Sequence, residues 1–171
     1  MRDFKKYIRN IPDFPKKGIL FRDITTILNR KKLFKEIINN LADRYRGKKI
    51  DAVVAVESRG FIFGSALAYK LGAALIPVRK KGKLPYKTLS ATYLLEYGED
   101  SLEIHEDAFR PGSRVLLIDD LLATGGTISA VVDLVKKLKA KIVEAAFIIE
   151  LSELKGRSKL KDIPVYSMVQ Y

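Results

Sequence analysis

The sequence predicts an α/β domain in which helices flank a mostly parallel central sheet. Short β-branched apolar runs alternate with segments of helical period, the order in which strands and crossover helices build a parallel sheet. Four of the runs are apolar enough to be buried strands. No internal repeat, low-complexity tract or linker interrupts the 171 residues, a length that fits one domain with a real core.

Residues 10–28, with Pro12, Pro15 and Gly18, read as an irregular N-terminal cover. Asn29 is placed to cap a helix carrying Leu33, Phe34, Ile37, Ile38 and Leu41 at helical spacing and ending near Gly47. The first buried strand is 51–56. A helix follows Gly60, with Phe63, Ala66, Leu67 and Leu71 inward and Gly72 as its stop. After the second strand, 74–78, residues 79–104 form a long excursion. It opens on the basic loop Arg79-Lys80-Lys81-Gly82-Lys83-Leu84-Pro85 and continues in alternating residues around Thr92-Tyr93-Leu94-Leu95-Glu96-Tyr97. A hairpin standing off the sheet is the natural form, and long excursions of this kind often serve as lids. The third strand is 114–119. The next helix begins at Gly126 and buries Ile128, Val131, Val132, Val135 and Leu138. Strands at 141–149 and 165–169 complete the pattern.

Composition excludes several chemistries. With no cysteine, disulfides, thiolate catalysis and cysteine-ligated zinc are ruled out together. A single histidine, His105, argues against a histidine metal site or a Ser-His-Asp triad. Acid–base work then falls to carboxylates, and electrophilic help to Arg, Lys or backbone N–H groups. No apolar stretch approaches the roughly 20 residues that span a bilayer, and the N-terminus lacks the apolar core of a signal peptide. No membrane partner and a cytoplasmic location are the expectation. The net charge of +12 suits a polyanion, a small multiply phosphorylated substrate, or a Lys/Glu-rich surface adapted to heat, and does not choose among them.

The run Val115-Leu116-Leu117-Ile118-Asp119-Asp120-Leu121-Leu122-Ala123-Thr124-Gly125-Gly126-Thr127 carries the chemistry. An apolar strand delivers Asp119 and Asp120 to its carboxyl end, where open α/β sheets place ligands. Ala123, Thr124, Gly125, Gly126 and Thr127 then turn into a helix. The glycines let N–H groups converge, the threonines add hydroxyls, and the helix N-terminus favours an anion. A carboxylate beside a phosphate repels it unless the acid addresses something else. Ribose hydroxyls fit, as does a hydrated Mg²⁺ carried by a diphosphate. No Gly-Lys-Ser/Thr follows, so this is not a Walker A loop.

This run resembles the signature with which type I phosphoribosyltransferases bind 5-phosphoribosyl-1-diphosphate (PRPP). Further segments, in the family's order and across nearly the whole chain, resemble the adenine phosphoribosyltransferases. They are Phe14-Pro15-Lys16-Lys17-Gly18-Ile19-Leu20-Phe21-Arg22-Asp23-Ile24, Glu57-Ser58-Arg59-Gly60-Phe61, the basic loop, Leu95-Glu96-Tyr97-Gly98, Glu150-Leu151 and Leu154-Lys155-Gly156-Arg157. The resemblance implies the type I fold, with a small N-terminal hood over residues 1–28 that recognises the base and a flexible lid loop at 79–104. The implied reaction is adenine plus PRPP giving AMP and diphosphate, with Mg²⁺ carried by PRPP and not held directly by the protein.

It also implies roles. Asp119 and Asp120 hold the ribose hydroxyls, and residues 123–127 take the 5′-phosphate. Glu57, Ser58, Arg59 and Gly60 form the diphosphate loop, which in such folds often has a strained or cis non-proline peptide; Arg59 also counts as catalytic. Arg79, Lys80 and Lys83 meet the diphosphate as the excursion closes, in this subunit or its neighbour. Glu96 takes the proton from adenine N7, with Tyr97 helping to seat the lid. Leu20, Phe21 and Arg22 contact the base, Phe21 by stacking. A homodimer is implied, and no nucleic acid partner. Lys17 and Thr26 stand where the family often has proline, which touches the cover's rigidity and not its contacting groups. Alternatives are a phosphoribosyltransferase for another purine and a PRPP-sensing regulator that binds nucleic acid. The second needs a DNA-binding domain that the few residues before Pro12 cannot supply.

Overall fold

The computed structural model describes residues 2–95 and 98–171 and divides into two units, Met1–Arg44 and Tyr45–Tyr171. In the first, a 3₁₀ turn at Phe4–Tyr7 leads into strand β1 (Arg9–Pro12), which pairs antiparallel with β2 (Leu20–Asp23). The sequence predicts an irregular cover here; the structure makes a hairpin. Its strands are too short and polar to show a period, and backbone pairing alone defines them. Asp13 receives the Gly18 N–H at 2.6 Å across the connecting loop. Asp23 fixes the hairpin's base, accepting two bonds from Arg9 at 2.9 and 2.6 Å and the Thr25 N–H at 2.9 Å.

A single-turn helix α1 (Thr25–Leu28) follows, then α2 (Lys31–Tyr45). Asn29 closes α1 through its backbone N–H and does not open α2; the Arg30 carbonyl accepts the first N–H groups of α2 instead. Thr26, at the family's proline position, donates its hydroxyl to the carbonyls of Tyr7 and Asp23 at 2.5 and 3.2 Å, tying down a segment that proline would stiffen. Leu33, Ile37, Ile38 and Leu41 of α2 are buried at the predicted spacing.

The second unit holds β3 (Ala52–Val56), α3 (Arg59–Leu71), β4 (Ala74–Lys80), β5 (Thr88–Leu95), β6 (Gly98–His105), β7 (Arg114–Leu122), α4 (Gly126–Lys137), β8 (Lys141–Glu150) and β9 (Val165–Gln170). They form a seven-stranded sheet in the order β5-β6-β4-β3-β7-β8-β9. Strands β4, β3, β7, β8 and β9 are parallel, and β5 and β6 are antiparallel additions. The predicted hairpin therefore does not stand off the sheet. It extends the edge through two register pairs, Arg79↔Glu103 and Lys80↔Leu102. Leu102 and Ile104 of β6 are buried, which is what draws the hairpin in.

Helices cover opposite faces. Ala52, Val54 and Val56 of β3, Val115 and Leu117 of β7, and Phe147 of β8 share a core with Ile128, Val131 and Val135 of α4. Residues of the other parity, Ala55 and Ile118, meet α3 at Gly64, where a Cβ would stand 2.5 Å from Ala55 Cβ. Only glycine lets α3 lie so close. Gly72 ends α3 in the left-handed region, as predicted. No helix among the described residues is long and apolar enough to cross a membrane.

Candidate active site

Strand β3 hands its chain to α3 and β4 on one side, while β7 hands its chain to α4 and β8 on the other. The two connections leave the adjacent carboxyl ends of β3 and β7 in opposite directions, and a crevice opens between them. It is a cleft of about 480 Å³ lined by the Glu57-Ser58-Arg59 loop, by Asp119 and Asp120, by residues 121–128, and by Lys80, Tyr93 and Leu102.

The acidic pair sits at the end of β7. Asp119 Oδ1 accepts the Asp120 N–H at 2.8 Å, which fixes its carboxylate. Asp120 is 3% exposed, and Arg59 Nε lies 2.9 Å from its Oδ2. That approach is close but off the axis of a hydrogen bond, and Oδ2 has no hydrogen-bond partner among the described residues. Burial pushes both carboxyls above the usual range. For Asp119 the charge of Asp120 adds to burial; for Asp120 the Arg59 guanidinium opposes it. Gly60, at the start of α3, abuts the pair: a Cβ there would stand 2.9 Å from Asp119 Oδ1 and 3.0 Å from the Ile118 carbonyl oxygen.

Beyond the acids the chain turns through residues 123–127 into α4. Gly125 is the N-cap, with φ of 79°, a backbone that an L side chain rarely adopts. The first N–H groups of α4 have no intrahelical partners and end at the cleft wall, where the helix dipole is positive. On the β3 side, the Glu57–Ser58 peptide is cis. Glu57 accepts from Arg79 Nε and Nη2 at 3.1 and 3.3 Å and from the Lys80 N–H at 3.1 Å. Burial disfavours its charge, but these donors outweigh it and hold the carboxyl below the usual range.

A match to the phosphoribosyl transferase domain spans residues 23–170. The adenine phosphoribosyltransferase of Syntrophotalea carbinolica is 58% identical over 171 residues, the whole of both chains. This chain belongs to the adenine phosphoribosyltransferase family. The crystal structure of the Thermoanaerobacter pseudethanolicus adenine phosphoribosyltransferase is 52% identical, covers 98% of each chain and superposes with a TM-score of 0.95. The Saccharomyces cerevisiae member, solved with an imino-altritol bisphosphate and adenine, is 44% identical over 96% of each chain, with a TM-score of 0.92. The fold is accordingly the type I phosphoribosyltransferase fold, a mostly parallel sheet with flanking helices.

Within this family fold the cleft gathers Glu57, Ser58, Arg59, Lys80, Asp119, Asp120 and residues 123–127 in one place. Gly60 supports them from behind. Arg79 and Lys83 are not in the lining: the Arg79 guanidinium clasps Glu57 and donates to the Lys83 carbonyl at 3.1 Å, and Lys83 is exposed. Leu20, Phe21 and Arg22 lie on β2 in the first unit, where Phe21 meets Phe14 edge-on at 5.1 Å and Arg22 Nη1 donates to Asn10 Oδ1 at 2.5 Å. Glu96 and Tyr97 lie outside the described residues.

Sequence reasoning gave no site role to Tyr93 and Leu102 in the cleft, or to their neighbour Asp100. Tyr93 of β5 lies beside Thr127 of the glycine turn, and its hydroxyl reaches Asp100 Oδ2 at 3.4 Å. Leu102 supplies apolar wall. Asp100 holds Lys80 Nζ at 3.0 Å and keeps that amine charged. Strand alternation around Tyr93 was the available signal, but it does not say which face looks into a cleft. Among the described residues no cluster of three or more His, Cys, Asp or Glu side chains could hold a metal.

Proposed function

We infer that this chain transfers the 5-phosphoribosyl group from PRPP to adenine, giving AMP and diphosphate, as in purine salvage. The observation that carries the reading is the cleft itself: an acidic pair with Asp120 buried and Asp119 half-buried, a glycine turn on a helix N-terminus and a cation-bearing loop, brought together at the β3–β7 divide.

Residues 123–127 receive the 5′-phosphate through the N–H groups and hydroxyls of the turn. Asp119 and Asp120 accept from the ribose hydroxyls, which supply hydrogen bonds to carboxylates that burial leaves short of them. An Mg²⁺ carried by PRPP would be met through water: Asp119 and Asp120 present hard carboxylate oxygens, while Arg59 already faces Asp120 Oδ2 at 2.9 Å. When bound, Mg²⁺ would neutralise diphosphate charge. The bond from ribose C1 to the diphosphate oxygen breaks as adenine N9 bonds to C1, and the electron pair leaves on diphosphate. The fixed charges of Arg59 and Lys80, with the N–H groups of the Glu57–Gly60 loop, answer that growing charge. Arg79 and Lys83 join as the 79–104 excursion closes, here or in a partner subunit's site. Glu96 accepts the N7 proton, and desolvation on closure raises its basicity for the task. Leu20, Phe21 and Arg22 of the hood hold the base, Phe21 by stacking. A homodimer and a cytoplasmic location belong to the same reading and rest on the family resemblance.

A steady-state assay with PRPP, Mg²⁺ and each of adenine, hypoxanthine and xanthine tests it, following nucleotide and diphosphate together. Adenine is the expected substrate. Turnover of hypoxanthine without turnover of adenine rejects the assignment.

A further inference from the structure

Gly156 forms the underside of the glycine turn. A Cβ on Gly156 would overlap the Ala123 carbonyl oxygen and stand 3.1 Å from Gly125 N; a Cβ on Gly125 would stand 2.5 Å from the Gly156 carbonyl oxygen. The two backbones touch with no side chain between them, so the height of one sets the height of the other. Gly156 is in turn held by its neighbour. Arg157 donates Nε and Nη2 to the two oxygens of Glu150, each at 2.7 Å, and Nη1 to the Val165 carbonyl at 3.0 Å. Glu150, 4% exposed, ends β8 in register with Leu122, the residue just before the turn. The Leu151 N–H donates to the Leu122 carbonyl at 2.9 Å. A ring therefore closes: Leu122, the turn, Gly156, Arg157, Glu150 and back to Leu122. Its one link between side chains is the guanidinium fork, a planar match to a carboxylate that lysine cannot reproduce. The hydrogen bonds from Arg157 hold the Glu150 carboxyl below the usual range, so the link stays ionised at neutral pH.

We propose that Arg157 and Glu150 are positioning residues for the 5′-phosphate: their fork seats Gly156, and Gly156 sets the turn whose N–H groups receive the phosphate. The proposal rests on the transferase reading above. Neither side chain lines the cleft, so both act through the turn.

Arg157→Lys keeps the charge and loses the fork, Glu150→Gln keeps the shape and loses the charge, and Gly156→Ala disturbs the turn without touching the pair. Each is titrated calorimetrically with ribose 5-phosphate, which carries the 5′-phosphate, and with Mg²⁺-diphosphate, which does not; KM for PRPP and for adenine are measured alongside. Ribose 5-phosphate affinity and KM for PRPP are expected to worsen about tenfold, as for loss of one charge-assisted hydrogen bond. Diphosphate affinity and KM for adenine should stay within about twofold. Lower thermal stability with unchanged affinities would make the fork merely structural and overturn the proposal, as would equal loss of both ligands. Failure of all three variants to fold counts against a local role as well. A wild-type protein that binds no ribose 5-phosphate would instead reject the transferase reading.

Discussion

Replacing Gly60 by alanine tests whether the two walls of the cleft must touch. The residue lies inside α3 with no need for a left-handed backbone, so alanine suits the helix locally and the effect comes from the added methyl. That methyl would stand 2.9 Å from Asp119 Oδ1, 3.0 Å from the Ile118 carbonyl oxygen and 3.2 Å from Asp119 Cα, and two of these atoms are strand backbone. Relief requires the start of α3, which carries Arg59, to move outward by a few tenths of an ångström, or the Asp119 carboxylate to turn. Overpacking of this kind costs about 1–3 kcal/mol. Reduced freedom of the unfolded chain returns about 0.4–1 kcal/mol. The net destabilisation of about 0–2.6 kcal/mol lowers the melting temperature by up to about 10 °C. Function should suffer more: the proposed function sets Arg59 and Asp119 about the reacting end of PRPP, so displacing them from each other lowers kcat/KM for PRPP at least about tenfold. Calorimetry and initial rates over a range of PRPP concentrations measure both. A variant with a lowered melting temperature but wild-type kcat/KM for PRPP would refute the claim that this contact sets the geometry of the site.

The remaining predictions concern charge. Asp119→Asn and Asp120→Asn weaken use of PRPP, seen as a raised KM in the same assay. Asp119→Asn also stabilises the free protein. A carboxyl raised by burial costs stability as pH climbs above its unfolded value, about 3.9, toward its folded one, and asparagine removes that cost. The melting temperature should rise at pH 7 and converge with wild type below about pH 4. Glu57 and Glu150 work in the opposite sense: each is held below the usual range, so its stabilisation is present at neutral pH and is lost as acid titrates the folded carboxyl. Melting curves from pH 7 down should show wild type losing stability faster than Glu150→Gln below about pH 4. Glu96→Gln should lower kcat with KM for PRPP within about threefold; wild-type turnover would remove its role as base.

The parts of the fold that could be read from the sequence are those whose burial leaves a pattern. Strands β3 and β7 lie between α3 on one face and α4 on the other, and β8 is buried along most of its length, so their apolar runs are continuous and unambiguous. The hairpin of β1 and β2 left no such trace, because polar residues such as Arg9, Asn10 and Arg22 form it by backbone pairing. Asn29 could be taken for the start of one helix because the same residue type can sit at the end of another. In the site, Asp119, Asp120 and the glycine turn were legible because one strand-to-helix connection supplies them all in sequence. Gly156 and Arg157 stand out in the sequence only through the family resemblance. Contacts between backbones far apart in the chain leave no local period, and the sequence does not say that Arg79 would be occupied by Glu57.

The hairpin of β5 and β6 joins the sheet through only two register pairs, beside β4. The five parallel strands, whose connections line the cleft, do not depend on it for their own pairing. The hairpin's other attachment is apolar, since Leu102 and Ile104 sit in the core that α4 shares. A change in the hairpin can thus leave the pairing of those five strands intact and still reach the cleft, because Tyr93 and Leu102 belong to its lining.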